Sequence, residues 1–201
     1  MTQSRIIFRS YLYVPASDPR RAEKALASEA DAVVLDLEDA VAPDRKMEAR
    51  ENAGRLLDSP PPKPVFVRVN APGSPLLAED LRAVVGPALF GIRLPKTEDP
   101  EQVKYVAEAL EPSGSGARIQ CLIESALGLE FVFEISRSHE RVMGVGLGEA
   151  DLSADLGVRG EAGLLYARSR VVAASRAAGL AGPVQSVYTD VRNLDGLRIS
   201  T

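Results

Sequence analysis

Apolar and polar positions alternate along the chain in blocks with one rhythm: a short apolar run, a polar or acidic end, then a segment with helical spacing. The first run, Tyr11–Val14, stops at Pro15. Asp18-Pro19 then offers an N-cap and a proline at the first helical position for a helix reaching Ala30. AVVLDLED (Ala32–Asp39) is nearly continuous and ends in acidic residues, which suits a strand buried on both faces. Asp44 is placed to cap a second helix that would turn Met47, Ala53, Leu56 and Leu57 to the sheet. The stiff connector SPPPKP (Ser59–Pro64) leads to a third strand, Val65–Val69, and a helix carrying Leu81, Val84 and Val85. A fourth strand, Gly91–Leu94, ends at Pro95-Lys96, and Asp99 with Gln102 has the spacing of a capping box. The helix behind it places Val103, Val106, Ala107 and Leu110 at i, i+3, i+4 and i+7.

Ile119–Ile123 and Val142–Leu147 predict the fifth and sixth strands, with a helix between them whose face is Leu127, Phe131, Glu134 and Ile135. Leu164–Ala178 predicts a helix, Val184–Val187 a seventh strand, and Asp190–Thr201 the start of one more helix. Repeated strand–helix units predict a parallel α/β architecture, and their number favours a TIM-type (β/α)8 barrel. An open doubly wound sheet is the other solution. Acidic ends on several successive strands weigh against it, as does the lack of a Gly-rich phosphate fingerprint. Seven strands fit inside the 201 residues, so the expectation is one barrel domain over 1–201 that lacks its eighth strand and C-terminal segment.

Composition narrows the partners. Apolar residues are 45% and charged residues 26% of the chain, ordinary values for a globular domain. A net charge of −4 with no basic stripe excludes an electrostatic pull toward nucleic acid or an anionic membrane. The single cysteine, Cys121, excludes an internal disulfide and lies in an apolar run. No signal peptide and no membrane-spanning run is present, so a cytoplasmic location is the expectation.

The chemistry concentrates between Cys121 and Asp155. Glu124 follows the fifth strand, and Glu149 and Asp151 follow the sixth, so a βαβ unit brings these carboxylates to one sheet edge, where ligands bind in such folds. Glu124 and Asp151 are the metal candidates, an all-oxygen pair suited to Mg²⁺. A single acidic strand end more often caps the next helix; two on adjacent strands favour metal. Glu149 has the weaker claim, as a solvent-facing or indirect contact. Glu38 and Asp39 either hold metal-bound water or pair with a neighbouring arginine. Arg68 offers a forked donor to a substrate carboxylate or an ion pair to Glu38 or Asp39. Arg9 and Lys96 are further candidates for binding an anionic substrate. Lys96 as a Schiff-base amine would need an apolar setting that Pro95–Glu98 does not offer. His139, the only histidine, lies in a polar stretch, which disfavours a histidine base.

Seven segments together resemble the citrate lyase beta-subunit-like family of metal-dependent aldolases and CoA-thioester lyases. They are RSYLYVPASDP (Arg9–Pro19), AVVLDLEDAVAPDRKMEAR (Ala32–Arg50), VRVN (Val67–Asn70), IRLPKTE (Ile92–Glu98), IESALGL (Ile123–Leu129), GLGEADLSADLG (Gly146–Gly157) and LYARSRVVAASRAAGL (Leu165–Leu180). The resemblance spans nearly the whole chain in order. It implies a TIM barrel holding Mg²⁺ through Glu124 and Asp151, with Arg68 on the keto-acid carboxylate and Glu38 and Asp39 ordering the metal's waters. It further implies cleavage of a citryl-, malyl- or citramalyl-type thioester into a keto acid and an acetyl thioester carried on CoA or acyl carrier protein. A homotrimer or larger homo-oligomer is the implied assembly. The alternatives are a thioester hydrolase on the same site and a non-catalytic carrier-binding subunit.

Overall fold

The computed structural model describes residues 8–188, 190 and 192–200. Six of the apolar runs are strands: β1 (Tyr11–Pro15), β2 (Ala32–Asp36), β3 (Val65–Arg68), β4 (Gly91–Leu94), β5 (Arg118–Ile123) and β6 (Val142–Leu147). They form one parallel sheet in sequence order, β1-β2-β3-β4-β5-β6. The helices are α1 (Pro19–Leu26), α2 (Lys46–Leu57), α3 (Leu77–Val84), α4 (Pro100–Leu110), α5 (Ala126–Glu130), α6 (Val132–Ser136), α7 (Glu149–Leu156), α8 (Gly160–Ala177) and α9 (Leu194–Ser200). Parallel strands laid down in order through helical crossovers are the winding of a (β/α) barrel. Among the described residues this barrel-type sheet is not closed.

The sheet is nevertheless strongly rolled. Gln120 on β5 donates from Nε2 to the Tyr11 hydroxyl on β1 at 2.8 Å. Four strand spacings would separate those strands by roughly 19 Å in a flat sheet. The roll gives the sheet two unlike faces. Val33, Leu35, Ile92, Leu94, Ile119 and Ile123 point outward into the main core, where they meet Val103, Val106 and Leu110 of α4 and their counterparts on other helices. Each such buried side chain contributes about 1.5–3 kcal/mol. On the inner face, Phe8, Tyr11, Phe66 and Phe90 pack edge to face, with centroids 5.1–5.8 Å apart. Ala32 and Val34 complete this plug. It fills the end of the roll where the strands begin and leaves the end where they finish to polar groups.

Helix starts follow the sequence in two places. Asp18 accepts from Arg21 N ahead of α1, and Asp99 with Gln102 forms the reciprocal capping box of α4. Three expectations are corrected. Asp44 caps nothing, because Pro43–Arg45 forms a 3₁₀ turn before α2 and no side chain caps that helix. Met47 is 68% exposed; α2 buries Ala53 and Leu57 as expected, with Ala49 in place of Met47. The single helix expected between β5 and β6 is two one-turn helices that meet at Phe131. The break shifts the buried face to Leu129, Val132 and Ile135, leaving Leu127 and Phe131 exposed.

Val184–Val187 forms only one bridge, from Val184 to Gly146. Ser186 Oγ donates to the Leu147 carbonyl at 2.6 Å, which supplies a side-chain contact where a ladder would continue. Among the described residues no helix is long and apolar enough to cross a membrane.

Candidate active site

The anchor of the site is a residue that the sequence reading passed over. Asp36 ends β2 and is buried. Parallel register places it beside Arg68 at the end of β3. Its carboxylate accepts from Arg68 Nε at 2.8 Å and from Nη2, and from the backbone N–H of Glu38 (2.8 Å) and Ala40 (3.2 Å). These bonds fold the Leu37–Ala40 turn back over the strand end. Lys46 holds that turn from behind, donating to the carbonyls of Leu37 and Glu38 at 2.7 Å and to Asn70 Oδ1 at 2.9 Å.

Glu38 thereby projects into the mouth of the roll. Its Oε1 accepts from Lys96 Nζ at 2.8 Å, and its Oε2 lies 3.2 Å from Arg68 Nη1. Asp39 is more open, 3.6 Å from Arg68 and 3.8 Å from Lys96. Burial pushes the Glu38 carboxyl above its ordinary range, against the pull of Lys96 and Arg68. Arg68 sits in a cage of three carboxylates: burial works against its charge, but Asp36 and Glu38 outweigh burial and raise its pKa.

Glu124 follows β5 and is buried. Its Oε2 accepts the Lys96 backbone N–H at 2.9 Å, and Oε1 accepts no hydrogen bond among the described residues. The carboxylate lies against Gly148, where a Cβ would stand 2.3 Å from Oε1, so the residue leading into α7 has room for no side chain. Lys96 is the only described non-glycine residue with positive φ, at 47°, and this backbone twist points its N–H at Glu124 while its side chain reaches Glu38. Asp151 is exposed in the first turn of α7. Glu149 is turned away, gripped by Arg168 of α8 at 2.6 and 2.7 Å, so it neither caps nor joins the mouth.

Burial pushes Glu124 up to about 7; the charges of Glu38 and Asp151 push the same way, and the Lys96 N–H opposes them. A carboxyl with a raised folded-state pKa binds its proton more tightly folded than unfolded. Its contribution to stability is therefore largest below its ordinary pKa and is lost as pH climbs toward the folded value. Without added metal, urea midpoints are expected to fall between about pH 4.5 and 7 and then level off. Midpoints that rise through this window would contradict the assigned environment.

The structure brings Glu38, Asp39, Arg68, Lys96, Glu124 and Asp151 to one edge, as the strand-end argument expected. Arg9 is the exception and is corrected. It lies at the opposite edge, before β1, with its side chain 83% exposed and held by Asp31 at 2.7 Å. The Lys96 ammonium is held protonated by its hydrogen bond to Glu38, which disfavours a Schiff-base amine. Burial pushes the Cys121 thiol up to about 12, so it is inert. His139 accepts the Arg141 N–H at 3.1 Å, at the start of β6 and away from the mouth.

A second arginine was missed as well. Arg93 lies on the inner face of β4, over the rings of Tyr11 (5.2 Å) and Tyr13 (5.3 Å). The available signal was strand alternation, which puts a charge between apolar Ile92 and Leu94.

The chain is similar to proteins of known family. The citrate lyase beta subunit of Escherichia coli K12 is 34% identical over 202 residues, covering 94% of this chain and 66% of that protein. A (3S)-malyl-CoA thioesterase of Cereibacter sphaeroides is also 34% identical, covering 95% of this chain and 67% of its own length. The chain thus spans about two thirds of the length of these curated relatives. The solved citrate lyase beta subunit of M. tuberculosis, complexed with oxaloacetate and magnesium, superposes with a TM-score of 0.82 at 33% identity, covering 97% of this chain and 85% of that one. The family model for HpcH/HpaI aldolase/citrate lyase matches residues 9–200. With the strand order, the strand-end carboxylates and this match in agreement, the chain belongs to the HpcH/HpaI aldolase/citrate lyase family.

Proposed function

We propose that the chain is a magnesium-dependent carbon–carbon lyase that splits a 3-hydroxyacyl thioester into a keto acid and an acetyl thioester. The observation that carries this reading is Glu124. One of its oxygens is fixed by Lys96 N–H and the other is left without a donor, in surroundings that raise its pKa to about 7. Such a carboxylate favours a cation beside it, and Asp151 offers the second negative charge.

Among the described residues no three His, Cys, Asp or Glu side chains converge into a closed cage. That fits Mg²⁺, which binds through one or two carboxylates and keeps positions for water or substrate oxygens. Bound to Glu124 and Asp151, the ion supplies Lewis acidity toward the substrate's carboxylate and neighbouring oxygen. Lys96 and Arg68 hold Glu38 and Asp39 facing the pair, where they order water. Arg68, kept charged by Asp36, sets a positive charge beside the place of the keto-acid carboxylate. The carrier is CoA or acyl carrier protein.

The thioesterase relative favours a second reading, hydrolysis on the same site. One assay separates the two. The purified chain is incubated with malyl-CoA, citramalyl-CoA or a citryl thioester, treated with EDTA and then resupplied with magnesium. The lyase reading expects activity lost on chelation and restored by Mg²⁺, with keto acid and acetyl thioester released in equal amounts. Free hydroxy acid with free thiol would transfer the conclusion to hydrolysis. Turnover indifferent to EDTA would sink the metal assignment.

A further inference from the structure

Among the described residues, one buried guanidinium on the inner face makes no ion pair; the nearest opposing charge acting on it is that of Glu124. Ile92 and Leu94 on β4 are fully buried against the helices, so Arg93 between them projects to the inner face. It is 5% exposed. Its Nε and Nη1 are buried with no acceptor among the described residues. Register sets it between Arg68 on β3 and Gln120 on β5. Gln120 gives its Nε2 to Tyr11, and its Oε1 is likewise buried without a donor.

An unpaired buried charge is strongly disfavoured, and stacking on an aromatic face offsets only a small part of that. Arg68 adds like-charge repulsion. The contrast between the two arginines is informative. Both lie over Tyr13, at 5.5 Å for Arg68 and 5.3 Å for Arg93. Arg68 is neutralised by Asp36, Glu38 and Asp39, whereas Arg93 makes no ion pair among the described residues and feels Glu124 only without contact. An arginine left charged and unpaired beside a substrate site has the donors to receive a carboxylate from the ligand.

We propose that Arg93 receives a second carboxylate of the substrate, making it the residue that selects a dicarboxylic keto acid over a monocarboxylic one. This rests on the lyase reading above. Oxaloacetate would then place one carboxylate beside Arg68, at the ion that Glu124 and Asp151 would hold, and the other on Arg93; pyruvate leaves Arg93 empty. The rings of Tyr11 and Tyr13 hold the plane of Arg93, and Gln120 ties Tyr11 in place.

The test is calorimetric binding of oxaloacetate and of pyruvate, each with magnesium, to the wild-type chain and to Arg93→Met and Arg93→Lys. Methionine fits between the tyrosine rings without charge; lysine keeps the charge without the fork. The expected result is a 10–100-fold loss of oxaloacetate affinity in Arg93→Met, the range of a charge-assisted pair. A smaller loss is expected in Arg93→Lys, and a change within twofold for pyruvate in both. Equal losses for the two acids, or none for either, would overturn the role of Arg93 and leave the lyase reading standing. A wild-type chain that binds neither acid would overturn both. Should Arg93→Met fail to fold, Arg93→Lys alone decides, by whether the oxaloacetate-to-pyruvate preference narrows.

Discussion

Glu124→Gln is expected to abolish magnesium-dependent turnover while leaving the metal-free chain more stable than the parent at pH 8. The two effects share one cause. Burial and the charges of Glu38 and Asp151 hold the carboxyl near pKa 7, so at pH 8 the folded chain carries an anion that its surroundings resist. Glutamine has the same shape and no charge, and its amide oxygen still accepts the Lys96 N–H. One pKa unit corresponds to about 1.4 kcal/mol, so the expected gain is roughly 1–3 kcal/mol at pH 8, fading toward zero near pH 4.5. Losing a ligand of a Lewis-acidic ion removes several kcal/mol of transition-state stabilisation, a fall of about 10³-fold or more in kcat. Urea unfolding at several pH values and turnover with saturating Mg²⁺ read the two arms. A variant that is both active and destabilised would reverse the assignment of Glu124.

Asp36→Ala is expected to cost about 3–5 kcal/mol, the range for removing one partner of a buried ion pair. The alanine leaves Arg68 facing only the looser contacts to Glu38 and Asp39, and it strips the acceptors from the Glu38 and Ala40 N–H groups. Glu38 and Asp39 ride on that turn, so activity falls along with stability. The double variant Asp36→Ala/Arg68→Met removes the uncompensated charge and is expected to recover part of the lost stability, though none of the activity. Chemical denaturation of the two variants checks this. A single variant within about 0.5 kcal/mol of wild type would mean that Asp36 is no anchor.

The order of the first six strands and the edge that gathers the carboxylates were legible in the sequence because both depend on local pattern. Asp99 with Gln102 announces a helix start regardless of what the helix packs on, and an acidic residue after an apolar run marks a strand end in any parallel sheet. Errors arose where three-dimensional packing decides. Met47 and Leu127 sit at reasonable helical spacing, but a 3₁₀ turn before α2 and a break at Phe131 rotate the buried faces away from them. Asp36 was absorbed into an apolar run, since only strand register reveals that its neighbour is Arg68. Arg93 needs the roll of the sheet as well, which brings the tyrosines of β1 over β4. Arg9 was offered as an anion contact on its charge alone, although its place before the first strand already set it at the other edge.

The sequence-ordered strands bear on how the chain acquires its shape. Each ladder joins segments separated by one crossover, so closing it orders a loop of limited length, whereas the Tyr11–Gln120 bond joins residues 109 positions apart. The outer core can therefore grow by successive units, and the inner face is completed only when β5 arrives to meet β1. Tyr11 and Tyr13, which shelter Arg93, both belong to the first strand, and Tyr11 takes its hydrogen bond from the fifth. The inner face therefore depends on a far more distant pairing than any ladder of the sheet does.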